Sequence, residues 1–372
     1  MKTISPGQLA GGFPTVQVPE AGEHANAQTD TNGGGIEELC ISPLAQRTDL
    51  LLEAAARLFE WDKGKTNTQA VARDRYGVVV DPHFGRVFVV GRARAAFGDS
   101  FTEYRVLQTL EYRSTIAGST QLFARAFRNA ATDGRGTVVL STDGGVRTYS
   151  GPTLSYFDIS LPSQYPAVVW AGQLFVAICS NGETHTSTNG LVWTQRAPAG
   201  AGGAQGPGAN RSGVVISSEW DTGGCRSRRS LDHGVTWNDI AMPAGDPWGQ
   251  ITYLASTDTW YALRETTGTE YVKSSDNGDT WTTWTPNMAS FDDGGQLVKL
   301  AATRHVLLGL HDDCRVVASM DGESFQYIGD AGTDLVSPIP VAIDVHAGFP
   351  VALCESADGE SWRVSAPSWR GL

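Results

Sequence analysis

Residues 274–281 read SSDNGDTW and residues 230–237 read SLDHGVTW, two copies of one pattern, S-x-D-x-G-x-T-W. Three shorter copies follow the same order: STNGLVW from Ser187, SMDGESF from Ser319 and SADGESW from Ser356. A sixth, STDGGVRTY from Ser141, keeps the serine and the Asp-Gly pair but has no tryptophan. The marker positions Asp143, Asn189, Asp232, Asp276, Asp321 and Asp358 are separated by 46, 43, 44, 45 and 37 residues. One further step back lands on Asp99, in AFGDSFTEYRV, a degenerate seventh copy.

The pattern has a local physical meaning. An Asp or Asn two residues after a Ser can accept backbone N–H bonds inside a tight turn, and the glycine takes positive φ at little cost. Thr opens the outgoing strand. The ring at Trp193, Trp237, Trp281, Phe325 and Trp362 then buries on the order of 150–250 Å². The expected roles are therefore structural: Ser141, Ser187, Ser230, Ser274, Ser319 and Ser356 with their partner Asp or Asn close the turn, Gly234 and Gly278 shape it, and the aromatic staples it. A catalytic carboxylate is not needed six times over.

Short β-rich runs flank the boxes, among them FGRVFVV, GQLFVAICS, TWYALRE, RHVLLGL and GFPVALCE, often with a further run upstream such as PAVVWAG or QLVKLAA. They alternate or run continuously apolar and lack 3.6-residue spacing. Each period thus reads as two strands, a third entering the box and a fourth leaving it. Repeats of this length mark propellers, solenoids or arrays.

The boxes resemble the Asp-box, or BNR, repeat of β-propellers such as sialidases, other glycosidases and many phage and bacterial surface proteins. The resemblance spans residues 70–372 and implies an all-β, seven-bladed propeller of four-stranded antiparallel blades, with six blades as the alternative if the stretch around Asp99 forms none.

The leader differs. Residues 1–41 carry few large apolar side chains and read as an extended or disordered arm that orders on a partner. Residues 42–69 read as a helix and linker. Ser42 caps, Pro43 starts the helix, Lys63 and Lys65 end it, and Leu44, Leu51, Ala55 and Leu58 form one stripe from 43 to about 60.

Composition narrows the partners. A net charge of −12 and a pI near 5.0 argue against nucleic acid, and the absence of an 18-residue apolar run argues against membrane insertion. MKTISPGQLAGGFPTVQVPE has no basic segment followed by an apolar one, so the expected product stays in the cytoplasm unless an assembly carries it out. Cys40, Cys179, Cys225, Cys314 and Cys354 are odd in number and widely spaced, as expected of reduced, mostly buried thiols.

No catalytic set is assignable. The sialidase resemblance implies an Arg-Ile-Pro segment, an arginine triad, a Tyr–Glu pair and an Asp acid/base; Arg-Ile-Pro is absent. Asp292–Asp293 and Asp312–Asp313 are the tempting carboxylate pairs for other glycosidases but read as solvated loops. The histidines show no metal-ligand spacing, so neither metal nor cofactor is expected; His233, at a variable box position, is expected to be exposed. The basic run at Arg226, Arg228 and Arg229 is the candidate recognition patch for an acidic glycan or partner. Trp220, Trp248, Trp260 and Trp284 lie outside the box position, so some of them are candidates for exposed, glycan-stacking rings, while most aromatics of a β-rich chain are expected in its core. The functional expectation is a non-enzymatic binding propeller, most specifically a virion component of a tailed bacteriophage. It would dock on other virion proteins through its arm, contact surface glycan and form a homo-oligomer within the assembly. A glycoside hydrolase and an assembly factor resembling the photosystem-assembly propellers are the alternatives.

Overall fold

The computed structural model describes residues 2–4, 16–18, 61–62, 67–68, 73–84, 86–93, 100–106, 111–113, 129–142, 144–151, 156–162, 166–197, 204–221, 224–245, 248–264, 270–288, 295–332, 334–346 and 349–367. It divides into a 1–58 unit and a 59–372 unit. In the first, Lys2–Ile4 pairs antiparallel with Val16–Val18, Lys2 opposite Val18. The helix expected over 43–60 lies outside the described residues. Among the described residues all regular structure is β, and no helix is long and apolar enough to cross a membrane.

The second unit is a circuit of antiparallel sheets. Six of them, not the expected seven, have the plain four-stranded form. The first comprises Arg73–Asp81, Arg86–Ala93, Ser100–Val106 and Glu111–Arg113. Ala130–Thr132, Thr137–Thr142, Gly145–Ser150 and Tyr156–Ser160 make the next. Ala167–Trp170, Phe175–Ile178, Thr184–Ser187 and Thr194–Ala197 follow. Then come Ala204–Ala209, Val215–Asp221, Gly224–Ser230 and Asn238–Ile240, and Trp248–Leu254, Thr259–Arg264, Tyr271–Ser274 and Thr282–Thr283. The sixth holds Leu297–Ala302, Leu307–His311, Arg315–Ser319 and Gln326–Asp330. The remaining sheet draws on both ends of the unit. Pro338–His346, Phe349–Ser356 and Ser361–Pro367 are joined at the last strand by Trp61–Asp62 and Asn67–Thr68.

In every sheet the first strand touches the first strands of the two neighbouring sheets, around to Arg73–Asp81 against Pro338–His346. First strands therefore line the centre and fourth strands the rim. The fold is a β-propeller.

The core follows from the composition of the strands. Second strands such as Phe175–Ile178 and Thr259–Arg264 are buried throughout, as β-branched and aromatic runs covered on both faces must be, whereas the rim strand Thr194–Ala197 is mostly exposed. Apolar clusters form between adjacent sheets: Val214 and Ile216 of one blade pack with Trp248, Ile251 and Trp260 of the next. Three of the four rings outside the box position take the core reading, and the side chain of Trp220 lies outside the described residues. Trp248, Trp260 and Trp284 are 1%, 0% and 2% exposed, because their positions on first and second strands, or immediately after the rim strand, point between sheets.

The upstream edge of the propeller also differs from the expectation at residue 70, since pairing with the last strand already begins at Trp61. Two-residue strands with partners some three hundred positions away leave no periodic trace in sequence.

Candidate functional site

Four boxes occupy one structurally equivalent corner, where the third strand turns out to the rim strand: those starting at Ser187, Ser230, Ser274 and Ser319. At the 274 box, the Ser274 hydroxyl donates to Asp276 Oδ1 at 2.7 Å and accepts from the Gly278 amide at 2.9 Å. Asp276 in turn accepts from the Thr280 amide at 2.9 Å and the Thr280 hydroxyl at 2.5 Å. The Trp281 indole N–H donates to the Gly278 carbonyl at 3.1 Å. The 230 box repeats this set through Ser230, Asp232, Gly234, Thr236 and Trp237, with distances of 2.7–2.9 Å. In the shorter copies, Asn189 and Asp321 accept instead from the backbone amides two and three residues on. The glycines have φ of +72° (Gly190), +85° (Gly234), +84° (Gly278) and +75° (Gly322). These bonds act on acidity: the Thr280 hydroxyl and amide hold the Asp276 carboxyl down at about 2. At Asp232 and Asp321 partial burial works the other way, yet the same kind of bonds still leave the carboxyl below its ordinary value.

Each of these boxes is also a joint to the preceding blade. A Cβ at Gly278 would sit 2.6 Å from Ile216 Cδ1, and one at Gly234 or Gly190 would come within 2.8 Å of Val176 or Val139. Trp193, Trp237 and Trp281 pack on the inter-blade clusters containing Val139, Val176 and Ile216 respectively. Polar bonds cross the same gap. Thr148 Oγ1 donates to the Gly190 carbonyl at 2.6 Å, Arg229 reaches the Asn277 carbonyl at 2.9 Å and Asp279 at 2.6 Å, and Lys273 pairs with Glu323. His233 belongs to this set rather than to solvent. Its Nδ1 lies 2.6 Å from the Ala171 carbonyl, which can only accept, so that nitrogen carries the proton.

The remaining two boxes sit elsewhere. Ser141 is next to last in the second strand Thr137–Thr142 and Ser356 ends the second strand of the closing sheet, so both turns join second to third strands, at the other end of the blades. Asp143 and Asp99 lie outside the described residues. Asp358 accepts from the Ser356 hydroxyl and from the Glu360 amide at 2.9 Å, and Trp362 is buried against Val78, Val80, Val351 and Leu353. The Ser-x-Asp-Gly chemistry closes any short hairpin, which is why periodicity alone did not separate the two corners.

The end of the blades opposite the four boxes carries a series of arginine–carboxylate pairs. Arg147 grips Asp158 with two bonds of 2.7 and 2.9 Å. Arg226 meets Asp239 at 2.7 Å, Arg264 meets Glu270 at 2.5 Å, and Arg315 and Arg363 meet Asp313 and Asp334 at 2.6 Å. The innermost pair is Arg228–Glu219. Both side chains are buried; Arg228 Nε and Nη2 converge on Glu219 Oε1 at 2.8 and 2.6 Å, and the Ser217 hydroxyl adds a third donor at 2.8 Å. Arg228 Nη2 also reaches the Gly182 carbonyl of the preceding blade at 3.1 Å. Burial pushes the Glu219 carboxyl up, against the opposing pull of Arg228.

The candidate recognition trio is therefore not one patch. Alternation along the strand sends Arg226 and Arg228 to one face and Arg229 to the other, and each finds its own carboxylate. Beside Arg226 lies a shallow depression of about 280 Å³ lined by residues 225–227 and 239–244. That is at or below the small end for a small-molecule site.

Two further groupings bear on chemistry. Asp292 and Asp293 lie outside the described residues. Asp312 and Asp313 both contact His311 Nδ1, at 2.9 and 2.8 Å, and the three ligand atoms lie within 4.8 Å of one another, close enough to share a cation. Partial burial opposes ionisation of Asp313, but the Arg315 amide, His311 and the Arg315 charge together hold it below the ordinary carboxylate range. A glycosidase acid needs the reverse, a carboxyl kept protonated near neutrality. Among the described residues, the carboxyl that is pushed up, Glu219, is sealed from solvent.

No family model matches the chain, and no curated protein matches it. Solved structures do. A structure of YCF48 bound to D1 peptide superposes with a TM-score of 0.58 at 11% identity, covering 82% of this chain and 94% of that one. The WD40 repeats of RRP9 give 0.56 at 8% identity over 81% and 97%. A GH74 enzyme of Niastella koreensis gives 0.54 at 16% identity over 81% of this chain and 44% of that one. Identities this low carry the fold alone, and propeller folds host many functions.

Proposed function

We propose that this chain is a non-catalytic interaction propeller and that the closing sheet is its seventh blade, completed by the strands at Trp61–Thr68. The observation that carries the proposal is the commitment of its polar side chains. Arg147, Arg226, Arg228, Arg264, Arg315 and Arg363 are each paired within the fold, and the box carboxylates are saturated by turn amides and hydroxyls. A scaffold of this kind offers shape and backbone edges rather than a reaction centre. Partners of two kinds fit it: neighbouring subunits of an assembly, reached through the leader, and surface glycan. The leader composition and the irregular box repeats favour a tailed-phage virion as that assembly, with several copies of the chain in it.

A glycoside hydrolase is the second reading, favoured by the likeness to the GH74 enzyme. One experiment separates the two. Full-length protein is incubated with bacterial surface polysaccharide, and both new reducing ends and retention on cells are measured. Retention without cleavage supports the interaction propeller; release of reducing ends refutes it.

A further inference from the structure

An outer strand leaves a row of N–H and C=O groups facing solvent, and folded sheets protect such edges by keeping them short, charging them or bulging them. Most rim strands of this propeller carry one of those devices. Thr282–Thr283 has two residues, Glu111–Arg113 and Asn238–Ile240 have three with charge in each, and Thr194–Ala197 carries Arg196 and a register shift at Thr184/His185. Gln326–Asp330 is longer, but its pairing is broken by a shift at Val316/Val317. Tyr156–Ser160 is the exception. It runs for five residues, YFDIS, pairs residue for residue with Gly145–Tyr149 without a shift, and among the described residues no strand lies on its outer edge. Tyr, Phe and Ile are strong strand formers, and the stretch holds neither Lys nor Pro. Its single charge, Asp158, is balanced by Arg147 through bonds of 2.7 and 2.9 Å. Phe157 is nonetheless 54% exposed, and the half-exposed Tyr156 ring is held in place by the Arg147 guanidinium 4.0 Å above it and by Tyr149 at 5.8 Å.

We propose that this edge is a self-association surface, onto which the Tyr156–Ser160 strand of a second copy of the chain adds in antiparallel pairing. The strand is apolar and its one charge is balanced within the blade, so a charged partner finds no opposite charge along it. A neutral, apolar strand fits, and its own counterpart is one. A two-fold axis through Asp158, perpendicular to the sheet, sets Tyr156 opposite Ser160 and Phe157 opposite Ile159 of the second copy. Paired residues then differ by even numbers, so every side chain stays on its own face of the joined sheet. Phe157 and Ile159 meet twice, an aromatic against a β-branched side chain, which is a stabilising cross-strand pair. The two Asp158 carboxylates face each other across the axis, each gripped by its own Arg147. Each copy carries a net charge of −12, so repulsion opposes the contact and added salt relieves it. A joint of five residue pairs covers less than the roughly 1,200–2,000 Å² of a stable dimer, so the association is weak and counts where an assembly crowds copies together. The proposal rests on the strand and not on the reading of the chain as an interaction propeller, and its failure would leave that reading to the cleavage experiment above.

The test is sedimentation velocity on the full chain from about 5 to about 500 µM, at low and high salt, with amide hydrogen exchange at the two ends of that range. The expected result is a monomer–dimer equilibrium that strengthens with salt, and slower exchange at residues 156–160 in the concentrated sample while Gln326–Asp330 is unchanged. Phe157→Lys places a charge on the edge and should weaken association by about tenfold or more without moving the urea midpoint of the monomer. Val336→Lys, at a residue 78% exposed outside the strand, should leave association as it was. The proposal is overturned if the chain sediments as a monomer throughout, if added salt dissolves the dimer, or if Phe157→Lys associates as the parent does. Concentration-dependent protection confined to residues other than 156–160 overturns it as well, and that measurement needs no variant to fold.

Discussion

Replacing Gly278 with alanine probes the box in its role as a joint. Two costs add. The backbone there has φ of +84°, and a residue with a Cβ pays about 1–2 kcal/mol to stay in that region. The new methyl also sits 2.6 Å from Ile216 Cδ1 of the preceding blade. That atom is the end of a flexible side chain, so Ile216 moves, and overpacking of this kind costs about 1–3 kcal/mol. The sum is roughly 2–5 kcal/mol for Gly278→Ala, read by urea unfolding followed through tryptophan fluorescence. The informative comparison is with Ile216→Val, which removes the offending Cδ1 at a cost of about 0.5–1.5 kcal/mol by itself. In that background Gly278→Ala should cost only the backbone share, leaving a coupling of about 1–3 kcal/mol between residues of different blades. Equal costs in both backgrounds would mean that the box glycine does not bear on its neighbour, and the account of the box as an inter-blade joint would fail.

Three other perturbations test separate parts of the structure. Asp276, held at about 2 by Thr280, binds its proton at lower pH folded than unfolded; its contribution is complete above about pH 4 and lost as pH falls through 2, so Asp276→Asn should flatten the acid side of the melting-temperature profile in that window. Arg228→Met strands Glu219 in the core and should cost about 3–5 kcal/mol, whereas Arg228→Met with Glu219→Leu should recover most of it; no recovery would place the loss in packing rather than in the pair. Deleting residues 1–58 should leave the melting temperature of the propeller nearly unchanged, while deleting 1–68 removes Trp61–Asp62 and Asn67–Thr68 from the closing sheet and should lower it by several degrees; equal effects would contradict ring closure by those strands.

How far the sequence could be read depended on the range of the interactions. Box chemistry is local: Ser274, Asp276, Gly278 and Thr280 bond within seven residues, so the motif announced its hairpins and the β-propeller they belong to. Which corner of the blade a hairpin occupies is set by distant pairing, and the copies at Ser141 and Ser356 turned between second and third strands with the same local signature. Glu219 and Arg228 were invisible for a related reason. They lie on neighbouring strands of one hairpin, and only the register that sets Ser217 opposite Arg228 and Glu219 opposite Arg226 brings their side chains together. Arg226, Arg228 and Arg229 looked like a basic cluster because a linear run hides strand alternation. Whether Trp248, Trp260 and Trp284 were core or exposed could not be read, because burial between sheets depends on where each strand lies in the blade.

Amide hydrogen exchange at Gly190, Gly234 and Gly278 addresses the central claim most directly, because these N–H groups lie in turns and donate to serine hydroxyls rather than into a strand ladder. If the boxes clamp one blade to the next, the three amides exchange as slowly as the neighbouring second-strand amides and are released only by global unfolding. Exchange at the rate of an open loop, while the strands stay protected, would contradict it.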